Sequence, residues 1–337
     1  MASRARAYPF ASAGAALLMA CGLLVTLGPS IGAQAARGGQ LPPAATGGIV
    51  PVHVRENVWM LVTPDGNLAL QVGDEGALLV DTGRAGTSDA VLQAIRQVTN
   101  LPVRYVINTS PGPNQIGNNA EFATLPGGST DRRGRGPAVA IIANEAVLLR
   151  MSAPDAKAPA IGWPTDAYAA KERNIRFNHE AIDIIHIPNA YTGGDSLVYF
   201  RRSDVIVAGE IYSTKRFPLV DRAHGGSVKG VLAGLNRILD IAVPEVVADN
   251  FAEGGTLVIP GSGRLSDEDD VTEYRDMVAI TRDRVANVVG KKRSLDQVRA
   301  ANLLVDYDAR YRIPSWTGAM YIDALYAELS APASVAK

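Results

Sequence analysis

The strongest constraint on the fold is a pattern of short strands and amphipathic helices that occurs twice along the chain. In the first half, the apolar stretches 49–62, 67–73 and 76–83 predict three strands of an antiparallel meander, because short turns separate them. The stretch 87–98 then carries apolar residues at helical spacing, and 103–109 is an apolar run rich in β-branched residues. The first half is therefore expected to continue as a strand–helix–strand unit.

The second half repeats this pattern with more helix. Four short apolar stretches predict strands, and longer stretches with charges on one face predict helices. The predicted strands are 182–188, 196–200, 204–210 and 256–261, and the predicted helices are 228–242, 269–289, 294–304 and 315–330. Two β-rich halves with helices outside them predict an α/β or α+β chain, built as a four-layer αββα sandwich.

Composition narrows the classes of function. The 337 residues include 33 basic and 34 acidic residues, which excludes a nucleic-acid-binding protein that depends on a basic surface. The single cysteine, Cys21, excludes an intramolecular disulfide framework and a cysteine-rich zinc site. The histidines are His53, His179, His186 and His224. They are far apart and show no ligand spacing, so we expect each to be exposed or to make structural hydrogen bonds.

The first 35 residues have the pattern of a secretory signal peptide. Arg4 and Arg6 precede an uncharged apolar stretch, and Ala33-Gln34-Ala35 offers a cleavage site. We therefore expect export to the periplasm or the medium, with membrane contact through residues 1–35 only. The residues that end at Cys21 loosely resemble the acylation site of a bacterial lipoprotein, so lipid anchoring there is a minor alternative.

The rest of the chain divides into three segments. Residues 36–48 are small and rich in glycine and proline, which predicts a flexible lead-in. Residues 49–270 contain the predicted sandwich. Residues 271–337 predict a helical extension that packs on the same domain.

Five short motifs, in the same order, resemble those of the metallo-β-lactamase fold superfamily. A turn after a predicted strand reads Asp-Thr-Gly at 81–83, and the segment 108–122 matches the frame of the family's metal-binding loop without a gap. The family's later motifs correspond to 190–196, Gly209-Glu210 and 259–263. The resemblance implies the αββα fold and, in the family, a dinuclear zinc site for hydrolysis.

The differences from the family fall on its zinc ligands. Where the resemblance places ligands, this chain has Ser110, Gly112, Asn114, Gln115, Tyr191, Glu210 and Ser262. Of these residues only Glu210 offers a carboxylate, and neutral amides and hydroxyls are poor zinc ligands. We therefore expect no zinc and no other cofactor here. We expect these positions to line a pocket for a small polar ligand, neutral rather than anionic.

Two functions are compatible with this interpretation. The preferred one is an exported, non-hydrolytic binding or accessory protein, that is, a pseudoenzyme on a hydrolase fold. The alternative is a diverged hydrolase of an ester, thioester, lactone or β-lactam, with Glu210, Tyr191 and Ser110 as weak catalytic candidates. A serine nucleophile requires a base within hydrogen-bond reach, and the sequence alone does not place one.

Three carboxylates in these motifs have structural roles that can be predicted. Asp81 and Asp195 are expected to accept backbone N–H groups in turns. Glu210 is expected either to pair with a nearby cation, such as Lys215 or Arg216, or to titrate at raised pH, because a buried carboxylate without a metal needs another partner.

Overall fold

The structure is a computed structural model that describes residues 48–126, 139–248 and 251–331. The predicted signal peptide, Cys21 and all but the last residue of the predicted lead-in lie outside these ranges. In the described part of the chain, no helix combines the length and the apolar character that a membrane crossing requires.

Seven strands of the described chain form the first sheet, in the order β1 to β7. Strands β1 to β4 pair antiparallel, and β4 to β7 pair parallel. Their bounds are β1 Val50–Arg55, β2 Val58–Val62, β3 Asn67–Gly73, β4 Gly76–Val80, β5 Val103–Ile107, β6 Ala140–Asn144 and β7 Asp166–Tyr168. Helix α1, Ser88–Val98, connects the parallel strands β4 and β5, so the predicted strand–helix–strand unit is confirmed.

Five strands form the second sheet, in the order β14-β11-β10-β9-β8, within the described ranges. Their bounds are β8 Glu172–Phe177, β9 Glu180–Ile187, β10 Asp195–Phe200, β11 Val205–Val207 and β14 Leu257–Ile259. A separate pair consists of β12, Val246–Ala248, and β13, Phe251–Glu253. Strands β11 and β14 are parallel neighbours, so their carboxyl ends lie at the same end of the sheet. Glu210 and Ser262, which follow these strands, therefore leave the sheet on the same side.

Eight further helices lie in the described chain. Their bounds are α2 Pro113–Ile116, α3 Asn119–Ala123, α4 Glu145–Met151, α5 Val228–Ile241, α6 Glu268–Gly290, α7 Leu295–Ala300, α8 Asp308–Tyr311 and α9 Gly318–Leu329. The N-cap side chains of the two longest helices accept backbone N–H groups, Ser227 for α5 and Asp267 for α6. Helix α6 begins before residue 270 and so crosses the predicted domain boundary, which stays a prediction.

Alternating side chains on the strands build the four layers. On β4, Leu78 faces the other sheet, whereas Leu79 joins the cluster that contains Val91 of α1. On β9, Ile184 belongs to the core between the sheets, whereas Ile185 packs with α5 and α6 residues. Because strand side chains alternate between faces, each sheet can pack against helices with one face and against the other sheet with its second face. The predicted αββα sandwich with a helical C-terminal segment is confirmed.

Two details of the strand prediction are wrong. The stretch 49–62 was predicted as one strand, but Glu56 adopts a left-handed backbone (φ +50°) and the chain turns back into a hairpin of β1 and β2. This turn has no glycine, which is why the alternating pattern appears continuous. The elements between 140 and 177 were also not predicted, because β7 is only three residues long and β8 alternates charged with apolar residues at an edge.

The C-terminal segment shares its core with the second sheet. Phe217, in the segment after β11, stacks on Tyr321 of α9 with ring centroids 4.9 Å apart and an interplanar angle of 11°. The backbone N–H of Phe217 donates to the carbonyl of Tyr311 at 3.0 Å. Tyr321 is fully buried and its hydroxyl lies 3.2 Å from Oγ1 of Thr281 on α6. Helix α9 is therefore packed into the sandwich.

We expect Tyr321→Ala to lower the free energy of unfolding by about 3–5 kcal/mol, because it leaves a cavity beside Phe217 in a fully buried core. Met320 is its neighbour on α9 and is 41% exposed, so Met320→Ala is the matched control, with an expected change within about 0.5 kcal/mol. Urea unfolding curves of both variants measure the difference. Equal effects would contradict this packing.

Candidate functional site

The seven predicted site positions all follow strand ends at one side of the sandwich. Ser110 and Gly112 follow β5, and α2 then carries Asn114 and Gln115. The other three positions are in connections from the second sheet. They are Tyr191 between β9 and β10, Glu210 after β11, and Ser262 after β14.

Four of these positions meet around Gly112. A Cβ atom on this glycine would lie 2.4 Å from Oε1 of Gln115, 3.1 Å from Cε1 of Tyr191 and 3.2 Å from Oγ of Ser110. The side chains that surround Gly112 therefore fill the space that a longer residue would need. Ser110 is fully buried, and its Oγ accepts the N–H of Gly112 at 3.2 Å.

Glu210 lies beside this cluster and forms a buried ion pair. Its Oε1 accepts a hydrogen bond from Nε2 of Gln115 at 3.2 Å, and its Oε2 accepts one from the guanidinium of Arg216. The Arg216 and Glu210 side chains are only 8% and 3% exposed, respectively. The prediction that Glu210 pairs with a nearby cation is confirmed, and Arg216 rather than Lys215 is the partner.

Asn114 and Ser262 are set apart from the cluster around Gly112. The Asn114 amide donates to the carbonyl of Asp65 at 3.0 Å, and the Ser262 carbonyl accepts the N–H of Thr214 at 3.1 Å. Both residues, together with Arg216, line an open cavity of about 390 Å³. The predicted positions are thus divided between a buried cluster and the wall of a cavity.

A buried amide network holds α2 against the first sheet. The carbonyl of Gln115 accepts from the N–H of Thr82 at 3.0 Å and from Nδ2 of Asn108 at 2.8 Å. Asn119 completes the network, because its Nδ2 donates to Oδ1 of Asn108 at 2.8 Å. The position of Gln115 in the site is therefore set by backbone contacts that require no ligand.

Two buried carboxylates brace the turns on either side of the cluster. Asp81 accepts the N–H and the hydroxyl of Thr109, both at 2.7 Å, and burial raises the pKa of Asp81 to about 8. Asp195 accepts the N–H of Thr192 at 2.6 Å and the Thr192 hydroxyl at 3.2 Å, and burial raises its pKa well above the usual range. The predicted bracing roles of both residues are confirmed.

The phenol of Tyr191 is protonated and therefore cannot act as a base. Burial, and next the negative charge of Glu210, raise the pKa of its phenol well above the usual value. The hydroxyl therefore keeps its proton over the physiological pH range.

None of the four histidine rings makes a hydrogen bond to a side chain of the cluster around Gly112 in the described chain. His53 and His186 contact backbone carbonyls, of Glu56 at 2.8 Å and of Asp195 at 3.1 Å. Burial lowers the pKa of His186. His224 Nδ1 lies 2.6 Å from Asp221 and His179 Nε2 lies 3.1 Å from Asp74, so each of the last two histidines faces a carboxylate.

One group in the described chain combines three residues of metal-binding type. It consists of Asp74, Glu75 and His179 at the β3–β4 turn and the β8–β9 turn, and all three are exposed. No local sequence pattern indicates this group, because Asp74 and His179 are 105 positions apart. Nothing in the structure beyond this proximity points to a ligand there.

Solved structures share the arrangement of the two sheets and helices. No family model matches the sequence, and no curated protein matches it. A metallo-beta-lactamase from Pontibacter korlensis superimposes with a TM-score of 0.52 at 14% sequence identity, over 68% of this chain and 99% of that one. The DIM-1 metallo-beta-lactamase superimposes with a TM-score of 0.52 at 11% identity, over 69% of this chain and 97% of that one. The chain has the metallo-β-lactamase fold.

A larger protein with this fold superimposes on a greater share of this chain. The stereoselective inverting sec-alkylsulfatase Pisa1 from Pseudomonas sp. superimposes with a TM-score of 0.60 at 13% identity, over 83% of this chain. The match covers 50% of the sulfatase, so this chain spans about half the length of that protein. At these identities the likeness concerns the fold alone.

Several residues of the site were outside the predicted set. Arg216 is predicted only as one of two partners for Glu210, and the sequence predicts no site role for Asp65 or Trp316. Asp65 lies in the β2–β3 turn and Trp316 between α8 and α9, yet both line the cavity with Asn114. Five motifs locate the metallo-β-lactamase fold, but no local pattern connects a turn near residue 65 with one near residue 316.

We expect Asp81→Asn to remove part of the pH dependence of stability. Native Asp81 holds its proton up to about pH 8, whereas in the unfolded chain it ionises near its usual pKa of 3.8. The native state therefore binds more protons between these values. The contribution of Asp81 is complete below the lower value and is lost as pH rises to the upper one, by up to roughly 1.4 kcal/mol per pH unit.

Urea unfolding at pH 5, 6, 7 and 8 measures this effect. The side-chain oxygen of asparagine can still accept the Thr109 N–H, so the variant should fold. We expect a smaller decrease in stability with pH than in the wild type, and a further reduction when Asp195→Asn is added. An unchanged slope in the double variant would contradict the raised pKa values.

Proposed function

We propose that this chain is an exported, zinc-free protein with the metallo-β-lactamase fold that binds a small polar ligand and does not hydrolyse it. The observation that carries the proposal is the buried ion pair of Glu210 and Arg216. A guanidinium already neutralises the one carboxylate at the family's ligand positions. A cation at the same place would meet the positive charge of Arg216.

Zinc does not fit the donors of this site. Protein zinc ions take imidazole nitrogen, thiolate sulfur or carboxylate oxygen in a tetrahedral arrangement. Around Gly112 the side chains are a hydroxyl, an amide and a phenol that keeps its proton, namely Ser110, Gln115 and Tyr191. The Glu210 oxygens accept from Gln115 and Arg216 instead. We therefore derive no hydrolytic step through a metal.

The alternative, a hydrolase with a rebuilt site, has less support. A serine nucleophile needs an adjacent base that is itself oriented by a third group. In the described chain, no carboxylate or imidazole hydrogen-bonds Oγ of Ser110, which instead accepts the Gly112 N–H. Both oxygens of Glu210 already accept hydrogen bonds, one from Gln115 and one from Arg216, and neither contacts Ser110. The binding function therefore agrees better with these contacts.

We expect the mature protein, expressed with export and purified without chelator, to contain far less than one zinc per chain. Zinc has no adequate donor set here, and Arg216 already neutralises Glu210. Elemental analysis measures the metal. A parallel assay tests the hydrolase alternative with ester, thioester, lactone, β-lactam and sec-alkyl sulfate substrates. The last two are included because the similar structures are named as β-lactamases and a sec-alkylsulfatase. One zinc per chain, or turnover of any of these substrates, would contradict the proposal.

A variant with restored ligands is the positive control. We expect Ser110→His, Gly112→His, Asn114→Asp, Gln115→His, Tyr191→His and Ser262→His together to create zinc binding, because ligands act jointly on a metal. The clash of a Cβ at Gly112 with the Gln115 oxygen is relieved, since Gln115 is replaced as well. Adding Arg216→Ala should tighten binding by removing a positive charge. Calorimetric titration with zinc measures this binding. A variant that folds but takes up no zinc would contradict the proposed relation to the family's site.

Export is the second part of the proposal. Its support is the charged start, the apolar stretch and Ala33-Gln34-Ala35. We expect the secreted or periplasmic form to begin at or close to Ala36, because the A-x-A pattern ends at Ala35. N-terminal sequencing of the exported protein gives the result. A mature chain that begins at Cys21 would indicate a lipoprotein instead.

A further inference from the structure

The cavity beside the Glu210–Arg216 pair has a volume of about 390 Å³. This volume lies near the lower end of the range for small-molecule sites, which is about 300–1,000 Å³. Five separate parts of the chain form its wall. They are the β2–β3 turn, α2, the segment 215–219, Ser262 after β14 and the segment 313–316.

One positive charge on this wall, that of Lys215, has no ion-pair partner among the described residues. The guanidinium of Arg216 is paired with Glu210, and the carboxylate of Asp65 lies 3.5 Å from the guanidinium of Arg84. Lys215 lines the cavity and is exposed, and its ammonium forms no ion pair with any described residue. The charges of the wall therefore leave one cation available to a ligand.

The wall also offers polar groups near this charge. The hydroxyl of Ser262 makes no hydrogen bond within the described chain. The hydrogen bonds that Thr214 and Ser213 donate to Ser262 go to its backbone carbonyl. The Asn114 amide uses one of its N–H groups on the carbonyl of Asp65 and retains a second. A carboxylate can accept hydrogen bonds from such donors.

An apolar surface stands in the same cavity. Leu219, Ile313 and Trp316 line it. Trp316 is held by its indole N–H, which donates to the carbonyl of Pro218 at 3.1 Å, and by two backbone hydrogen bonds with Ile313 at 3.0 and 3.2 Å. Because these contacts fix the indole in advance, a ligand loses little by packing against it.

We propose that this cavity binds a small organic carboxylate with an apolar chain. The carboxylate lies near the ammonium of Lys215 and the hydroxyl of Ser262, and the apolar chain packs on Trp316. This inference rests on the proposed binding function and gives the class of its ligand. It replaces the neutral ligand expected from the sequence, because Arg216 alone neutralises Glu210 and leaves Lys215 free.

Hexanoate is the probe, and hexanamide and hexylammonium are its neutral and cationic counterparts. Isothermal titration of the mature protein at low ionic strength measures binding, and quenching of Trp316 fluorescence reports its place. We expect hexanoate to bind at least about tenfold more tightly than hexanamide, because a hydrogen bond to a charged group is stronger than a neutral one. Hexylammonium should not bind. Equal affinities for hexanoate and hexanamide would overturn the proposal.

Three variants locate the contact. Lys215→Gln should weaken hexanoate binding about tenfold and leave hexanamide unchanged, whereas Lys215→Arg should retain most of the affinity for hexanoate. Lys171→Gln removes an exposed lysine that does not line the cavity, so it should bind as the wild type does. Circular dichroism verifies that each variant is folded. If Lys215→Gln and Lys171→Gln bind hexanoate equally, Lys215 is not the anion site.

Titration in the presence of EDTA separates the two proposals. If the protein contains zinc and loses hexanoate binding with EDTA, the zinc-free function is wrong and the carboxylate binds a metal instead of Lys215. If the protein is zinc-free and does not distinguish hexanoate from hexanamide, only the ligand class is wrong. Binding that EDTA leaves unchanged and Lys215→Gln weakens supports both.

Discussion

The buried contact between Glu210 and Arg216 determines what the site can do. A carboxylate that is almost fully removed from water is very costly unless an opposite charge and hydrogen bonds compensate it. Here a guanidinium from the same chain provides that charge, and the amide of Gln115 donates to the other oxygen. The ion pair and the Gln115 hydrogen bond together connect the end of β11, helix α2 and the segment after residue 214. Such a pair contributes little net stability, but removal of either partner leaves an uncompensated charge.

The loops around this pair keep their shape through contacts that involve no ligand. Asp81 binds the backbone and the side chain of Thr109, and the carbonyl of Thr109 accepts the N–H of Ser196 at 2.8 Å, which joins the two sheets. Gly209 has φ +52°, and a Cβ there would lie 2.6 Å from Oγ1 of Thr109, so the turn before Glu210 requires glycine. These interactions hold the loops around Glu210 and Gln115 in place without a bound metal or ligand.

Most of the fold could be predicted from the sequence, because local sequence patterns indicate most of its strands, helices and turns. The alternation on β4 and β9, the spacing in α1 and α5, and five turn motifs are each visible within about fifteen residues. The hairpin at Glu56 was missed because a left-handed glutamate leaves no signal in the sequence. The site was predictable only in part. The turns that hold Glu210 and Gln115 lie within motifs, whereas the cavity depends on residues that meet through packing of the C-terminal helices, such as Trp316.

The position of Trp316 has a consequence for how the protein folds. The cavity wall combines residues near 65, 114, 215, 262 and 316, so almost the whole described chain must be in place before the cavity exists. Contacts between such distant residues form slowly, because the entropy of closing long loops must be overcome first. The cavity is therefore complete only where the segment between α8 and α9 is docked against Pro218. A molecule that occupies it recognises only the fully assembled protein, and its binding free energy is added to the stability of the entire fold.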